Sequence, residues 1–194
     1  MIVLASTSPT RQSMLRNAGL SFVAEAPRVD ERALVSTNPR WSPSETAEKL
    51  AEAKAKDVSL RHAQATVIGA DQVLALGNKV YSKPASILQC REHLLELRGN
   101  THTLVSSVVC ARDGKTDWSH TAEALLTMRN FSDEFLDDYL SRVGKDCTSS
   151  VGGYKIEGRG LQLFERVAGD HFTILGLPLL PLLDHLRTVG DIPE

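Results

Sequence analysis

The sequence is short of cysteine, of aromatic residues and of charge excess, and each shortage removes a class of protein. Three cysteines, Cys90, Cys110 and Cys147, are odd in number, widely separated and without a Cys-x-x-Cys pair, which excludes a disulfide framework and a thiolate zinc site. Lys and Arg number 22 against 24 Asp and Glu, a net charge of -2, and aromatic residues make up 5% of the chain. A protein that coats nucleic acid needs many phosphate-neutralising cations and stacking rings, so no nucleic-acid partner is expected. No run approaches the roughly 18 apolar residues that span a bilayer, and the opening Met1-Ile-Val-Leu-Ala lacks the basic flank and length of a signal peptide. A cytoplasmic protein with no membrane partner is the expectation. The six histidines show no His-Glu-x-x-His spacing and no Cys/His pairing that would support nucleophilic catalysis. There is no internal repeat, low-complexity tract or linker, so residues 1–194 are expected to form a single domain, and one small anionic ligand stays compatible with the charge balance.

What is present reads as alternating strands and helices. Ile2 to Ala5 is a short apolar strand. Ser8 followed by Pro9 starts a helix, with a side-chain oxygen as cap and proline at the first position, and Gly19 stops it. Ser42, Pro43 and Glu45 have capping-box spacing for a helix running to about His62. Val67 to Leu76 reads as a buried strand interrupted by Asp71-Gln72, and Ser86 to Arg98 as a helix closed by Gly99. Thr101 to Arg112 and Thr116 to Met128 are β-rich runs joined at Asp113-Gly114, a hairpin signal. Ser132 caps a helix to about Val143, a short strand is expected at Leu161 to Phe164, and a last helix at Ile174 to Arg187. This order predicts an α/β fold with a mixed sheet.

Four constellations could carry chemistry. In Ser6-Thr7-Ser8-Pro9-Thr10-Arg11, a strand delivers hydroxyls and then a helix N-terminus, whose free N–H groups and dipole suit phosphate, with Arg11 as a planar cation; the alternative is that Ser8 caps a helix and Arg11 is solvated. Asp71 is a carboxylate in an apolar strand, costly unless it is exposed, paired or metal-bound. It is a candidate base or metal ligand, or else the cap of a neighbouring loop. Asp30-Glu31, in an expected loop, offers oxygens to Mg²⁺ or is merely solvated. Lys54 and Lys83 are phosphate contacts or surface lysines. Gly153-Tyr-Lys-Ile-Glu-Gly158 has phosphate-loop spacing but is followed by Arg159-Gly160, without the Lys and Ser/Thr that such a loop needs; Glu157 is left as a polar group on a tight loop.

Taken in order, Leu4 to Arg11, Val29 to Glu31, Leu50 to Lys54, Ile68 to Gln72, Lys83-Pro84, Gly153 to Gly158, Leu163 to Arg166 and Ile174 to Leu179 resemble the Maf family of nucleoside triphosphate pyrophosphatases over nearly the whole chain. The resemblance implies a mixed twisted sheet with flanking helices, in two lobes around a central cleft, similar to inosine triphosphate pyrophosphatases and frequently a homodimer. It implies conversion of a nucleoside triphosphate and water to the monophosphate and diphosphate, with a divalent cation, Mg²⁺, Mn²⁺ or Co²⁺. Asp71 matches the proton acceptor, and Glu31, Lys54 and Lys83 match the other polar residues of the catalytic cleft. Ser6, Ser8 and Arg11 match the phosphate-binding turn, and Glu31 and Asp71 the metal ligands. Thr10, Gln72 and Glu157 stand at positions associated with specificity. Gln72 and Glu157 resemble the branch acting on 7-methyl-GTP, to keep modified nucleotides out of nucleic acids; the alternatives are dTTP/UTP hydrolysis or a regulatory role in septum formation and cell-division arrest. Two departures stand out: Gln12 replaces a second arginine usual in the family, and Thr10 replaces the Trp often found in the 7-methyl-GTP branch.

Overall fold

The computed structural model describes residues 1–193 and shows a mixed seven-stranded sheet with flanking helices, as expected. The strands are β1 (Ile2–Leu4), β2 (Phe22–Ala24), β3 (Thr66–Leu76), β4 (Lys79–Tyr81), β5 (Thr101–Arg112), β6 (Lys115–Met128) and β7 (Phe164–Ala168). The helices are α1 (Pro9–Asn17), α2 (Glu31–Ser36), α3 (Pro43–Ser59), α4 (Ile87–Leu97), α5 (Asp133–Val143), α6 (His171–Ile174) and α7 (Leu179–Thr188). The chain divides into two compact units, the first Met1–Gln72, Val105–Glu123 and Asp170–Glu194, the second Val73–Leu104 and Ala124–Gly169.

In the first unit, β1 pairs in parallel with β2 and β3. Strand alternation sorts the core onto two faces. Ile2, Leu4, Ile68, Ala70 and Val108 pack with Met14 and Leu15 of α1 and Leu179, Leu182 and Leu186 of α7. Val3, Ala5 and Val67 meet Val58 of α3, while Ala51 and Ala55 of the same helix pack on Val109 and Ala111. The helix α3 is held by the capping box foreseen at Ser42 and Glu45 and ends at Ser59, three residues short of His62. The β5–β6 hairpin turns at Asp113 and Gly114, both at positive φ, 47° and 78°, as a two-residue primed turn requires.

In the second unit, β4 pairs antiparallel with the end of β3, and β7 pairs antiparallel with the end of β6. Ser86 and Ser132 cap α4 and α5 as expected. His102 on β5 is buried and shares a 2.6 Å hydrogen bond with the Tyr154 hydroxyl, while its Nδ1 is buried without a partner among the described residues.

Three expectations need correction. The strand expected at Leu161 to Phe164 begins at Phe164; residues 159–163 form a 3-10 turn folded over the Lys155 backbone at Gly160, where a Cβ would stand 2.8 Å from Lys155 N. The helix expected at Ile174 to Arg187 is two helices, α6 and α7, broken where Gly176 takes φ +94° and Leu177 precedes Pro178, because proline disfavours a helical residue before it. Asp30-Glu31 is no loop: Asp30 caps α2 by accepting from Ala33 N at 3.0 Å, and Glu31 is its first residue.

Candidate active site

The first unit holds Arg11, Glu31, Lys54 and Asp71 among the acidic and basic candidates. On β3, Val67 and Gly69 face α3, and Asp71, two residues further, faces it too. Gly69 makes this approach possible, since a Cβ there would meet the Ala51 carbonyl oxygen and stand 2.7 Å from Ala55 N. A glycine inside a strand often marks such a close approach. Lys54 lies on the same face of α3 as Ala47, Ala51 and Val58, and it is carried inward with them. It is no surface lysine: 6% exposed, its Nζ stands 2.6 Å from Asp71 Oδ1 and 3.0 Å from Glu31 Oε1. Asp71 is 7% exposed. Burial pushes its carboxyl above the ordinary range and Glu31 adds to the rise, while Lys54 and Arg11 oppose it. A carboxyl raised in this way suits proton transfer nearer neutrality than a free aspartate does.

Two carboxylates on one ammonium are also a hard-oxygen donor set. Mg²⁺ is commonly bound by one or two carboxylates, with water and phosphate completing its shell, so Glu31 and Asp71 fit such a cation. Among the described residues there is no group of three or more His, Cys, Asp and Glu side chains that would hold a metal by itself.

Arg11 reaches the same neighbourhood from α1. Its Nε donates to the Gly176 carbonyl at 2.9 Å, and neither terminal nitrogen is hydrogen-bonded among the described residues. Its pKa is lowered by desolvation and raised by Asp71 and Glu31; a guanidinium stays charged through such a change. Ser8 is the helix cap, its Oγ accepting from Arg11 N at 3.4 Å, while the buried Ser6 Oγ accepts from Ser8 N at 3.1 Å. Pro9 has no N–H, so the first turn of α1 is left with little more than the Thr10 N–H for an anion. Ser8 thus caps α1, while Arg11 is partly buried and tied to Gly176 instead of being solvated. The Thr10 side chain is half-buried with no hydrogen bond of its own among the described residues. Gln12 accepts from Arg16 Nη2, one turn on, at 2.8 Å.

Gln72 points to the other face of β3. Its Nε2 stands 2.9 Å from the Ile174 carbonyl, 3.1 Å from Ser106 Oγ and 3.2 Å from the Thr173 carbonyl. Ser106, Thr173 and Gly176 escaped the sequence reading. The one available signal was Asp170-x-x-Thr173, a cap spacing, followed by the breaker Gly176-Leu-Pro178. Lys83 and Glu157 lie exposed in the second unit, with no side-chain hydrogen bond or ion pair among the described residues. Glu157 sits on the turn that follows Gly152 and Gly153, both at positive φ.

Among the described residues no helix is long and apolar enough to cross a membrane. A family model described as Maf-like protein matches residues 1–189. The 7-methyl-GTP pyrophosphatase of Rhizobium meliloti is 48% identical over 194 residues, covering 99% of this chain and 98% of the relative. That of Mesorhizobium japonicum is 51% identical over 193 residues, covering 98% and 97%. The nucleoside triphosphate pyrophosphatase of Rhodospirillum rubrum is 50% identical over 191 residues, covering 97% and 95%. With the Maf model covering nearly its full length and relatives at this identity, the chain belongs to the Maf family.

Proposed function

We propose that the chain, acting as one Maf-like domain over 1–194, is a nucleoside triphosphate pyrophosphatase whose substrates are modified nucleotides such as 7-methyl-GTP. Water attacks the α phosphate, the α–β phosphoanhydride bond breaks, and nucleoside monophosphate and diphosphate leave. The observation that carries this reading is the Asp71–Lys54–Glu31 cluster, a buried carboxyl of raised pKa beside a buried ammonium, with Arg11 close by. Asp71 takes the proton of the attacking water. Lys54 fixes the Asp71 carboxyl and ties it to Glu31. Arg11, whose terminal nitrogens have no hydrogen bond among the described residues, holds triphosphate oxygens and stabilises charge on the departing diphosphate. Glu31 and Asp71 would hold a divalent cation, which when bound neutralises phosphate charge and polarises the scissile bond.

The names of the relatives support the substrate class. The resemblance assigns Lys83 to the polar residues of the catalytic cleft and Thr10, Gln72 and Glu157 to substrate selection. A carboxylate suits guanine, whose N1–H and amine are donors. The test is diphosphate release from 7-methyl-GTP, GTP, ITP, CTP, UTP and dTTP, with Mg²⁺, Mn²⁺, Co²⁺ or none. Preference for 7-methyl-GTP supports the reading; preference for dTTP or UTP overturns the substrate class, and no release from any nucleotide overturns the activity.

A further inference from the structure

Glu31 arrives at the site on a segment that the core does not hold. Among the described residues, none from 21 to 45 is buried, α2 included. A stretch with so little buried apolar surface opens readily unless something else fixes it. Here the fixing groups come from α3. Asp57 lies three residues beyond Lys54 on the same side of that helix, and its Oδ2 accepts from Arg28 N at 2.8 Å. Arg61, just past the end of α3, spreads its guanidinium over the same segment. Its Nε donates to Glu25 Oε1 at 2.6 Å, its Nη2 to the Ala26 carbonyl at 3.4 Å, and its Nη1 pairs with Asp57 Oδ2 at 3.0 Å. His62 Nε2 stands 2.5 Å from the other Glu25 oxygen. Three residues after Arg28, Glu31 meets Lys54 Nζ at 3.0 Å, its one ion-pair partner among the described residues. The Glu31 side chain is half exposed, and a single ion pair of that kind holds a carboxylate weakly. Several ties to one guanidinium fork hold a segment better.

We propose that Asp57 and Arg61 are positioning residues: by clasping the Glu25–Arg28 segment to the end of α3, they hold Glu31 at Lys54 and Asp71, where it serves the divalent cation. Each acts through Glu31 and not on the substrate. The inference rests on the proposed role of Glu31 as a metal ligand.

The full chain is compared with Asp57→Ala, Arg61→Met, Asp57→Asn and Glu31→Gln in two measurements. Amide hydrogen exchange without metal or nucleotide reads the clasp itself. Diphosphate release from 7-methyl-GTP, titrated with Mg²⁺ well below Tm, reads its use. In Asp57→Ala and Arg61→Met, exchange at residues 25–36 quickens about tenfold, the effect of one or two net hydrogen bonds, while α3 and β3 keep their protection. The Mg²⁺ concentration for half-maximal turnover rises by a similar factor, and added Mg²⁺ restores turnover, which a general folding defect would not allow. Asp57→Asn, which keeps an oxygen for Arg28 N, falls between wild type and Asp57→Ala in both measurements. Glu31→Gln raises the Mg²⁺ requirement at least as far, or stops turnover. Unchanged exchange in both clasp variants overturns the inference, and so does a wild-type Mg²⁺ requirement in both when Glu31→Gln departs from it. A wild-type Mg²⁺ requirement in Glu31→Gln overturns the proposed metal role of Glu31 instead, and no release by the wild-type chain overturns the proposed activity. In either of those cases exchange alone decides whether Asp57 and Arg61 hold the segment.

Discussion

Gly69 packs against Ala55 so closely that a Cβ on the glycine would stand 2.7 Å from the alanine's backbone nitrogen and 2.8 Å from its Cβ. The contact draws α3 onto β3 and sets the depth at which Lys54 meets Asp71. Gly69→Ala therefore acts on the site as well as on the core. Overpacking of this kind costs about 1–3 kcal/mol, which for a chain of this size lowers Tm by roughly 2–12 °C. Thermal melts and 7-methyl-GTP turnover at a temperature where the variant is fully folded check both halves: turnover falls even there, because the Lys54 ammonium is displaced from the carboxylate.

Asp71→Asn is expected to abolish turnover, since an amide cannot accept the proton. Its effect on stability has a sign that runs against intuition. A carboxyl whose folded pKa is raised above its unfolded value contributes stability that is complete below the ordinary aspartate range and is lost as pH rises through the folded value. The amide suffers no such loss. Urea melts from about pH 4 to about pH 8 should show the stability of Asp71→Asn growing relative to wild type as pH rises.

Lys54→Met leaves two neighbouring carboxylates without their shared cation. Removing one partner of a buried pair costs about 3 kcal/mol or more. Lys54 also holds the Asp71 pKa down, by charge and by hydrogen bond, so its loss lifts that pKa further. The acid limb of the pH–kcat profile should move to higher pH in this variant, and a profile measured beside wild type checks the direction.

His102, in the second unit, supplies a separate pH response. Burial lowers its pKa from 6.5 to about 4, so between those values the unfolded chain binds a proton that the folded chain refuses. Stability from this group is complete above the unfolded value and is lost as pH falls through it, to a limit of about 3 kcal/mol at one pKa unit per 1.4 kcal/mol. Replacing His102 with Gln, which keeps a partner for Tyr154 and does not titrate, should flatten the acid side of the stability curve.

Much of the fold was legible because it is local: caps at Ser8, Ser42, Ser86 and Ser132, the Asp113-Gly114 turn, and apolar or β-rich strand runs. The six-residue α2 was missed because it is too short to show helical periodicity, and it has no buried residue to mark a face. Within the site, the sequence marked Asp71 as a costly carboxylate and Lys54 as one of several lysines. Their meeting, 17 residues apart in the chain, depends on how α3 settles on β3, which no single segment encodes. Gln72 is the sharper case. Its amide partners Thr173 and Ile174 are 101 and 102 residues away, so the ties that hold this side chain depend on the tertiary fold and leave no local mark in the sequence.

The placement of Lys54 has a consequence for the order of events in the life of the protein. Asp71 and Glu31 are brought together during folding around a cation that belongs to the chain, so the assembly of the site does not wait for an ion from solution. A chelator should then stop turnover while leaving Tm within a degree or so, unlike proteins whose fold is held by metal. In the metal role proposed for Glu31 and Asp71, a divalent ion would have to compete with a resident ammonium for these oxygens, and that competition should make occupancy depend on substrate, whose phosphates would supply the remaining ligands.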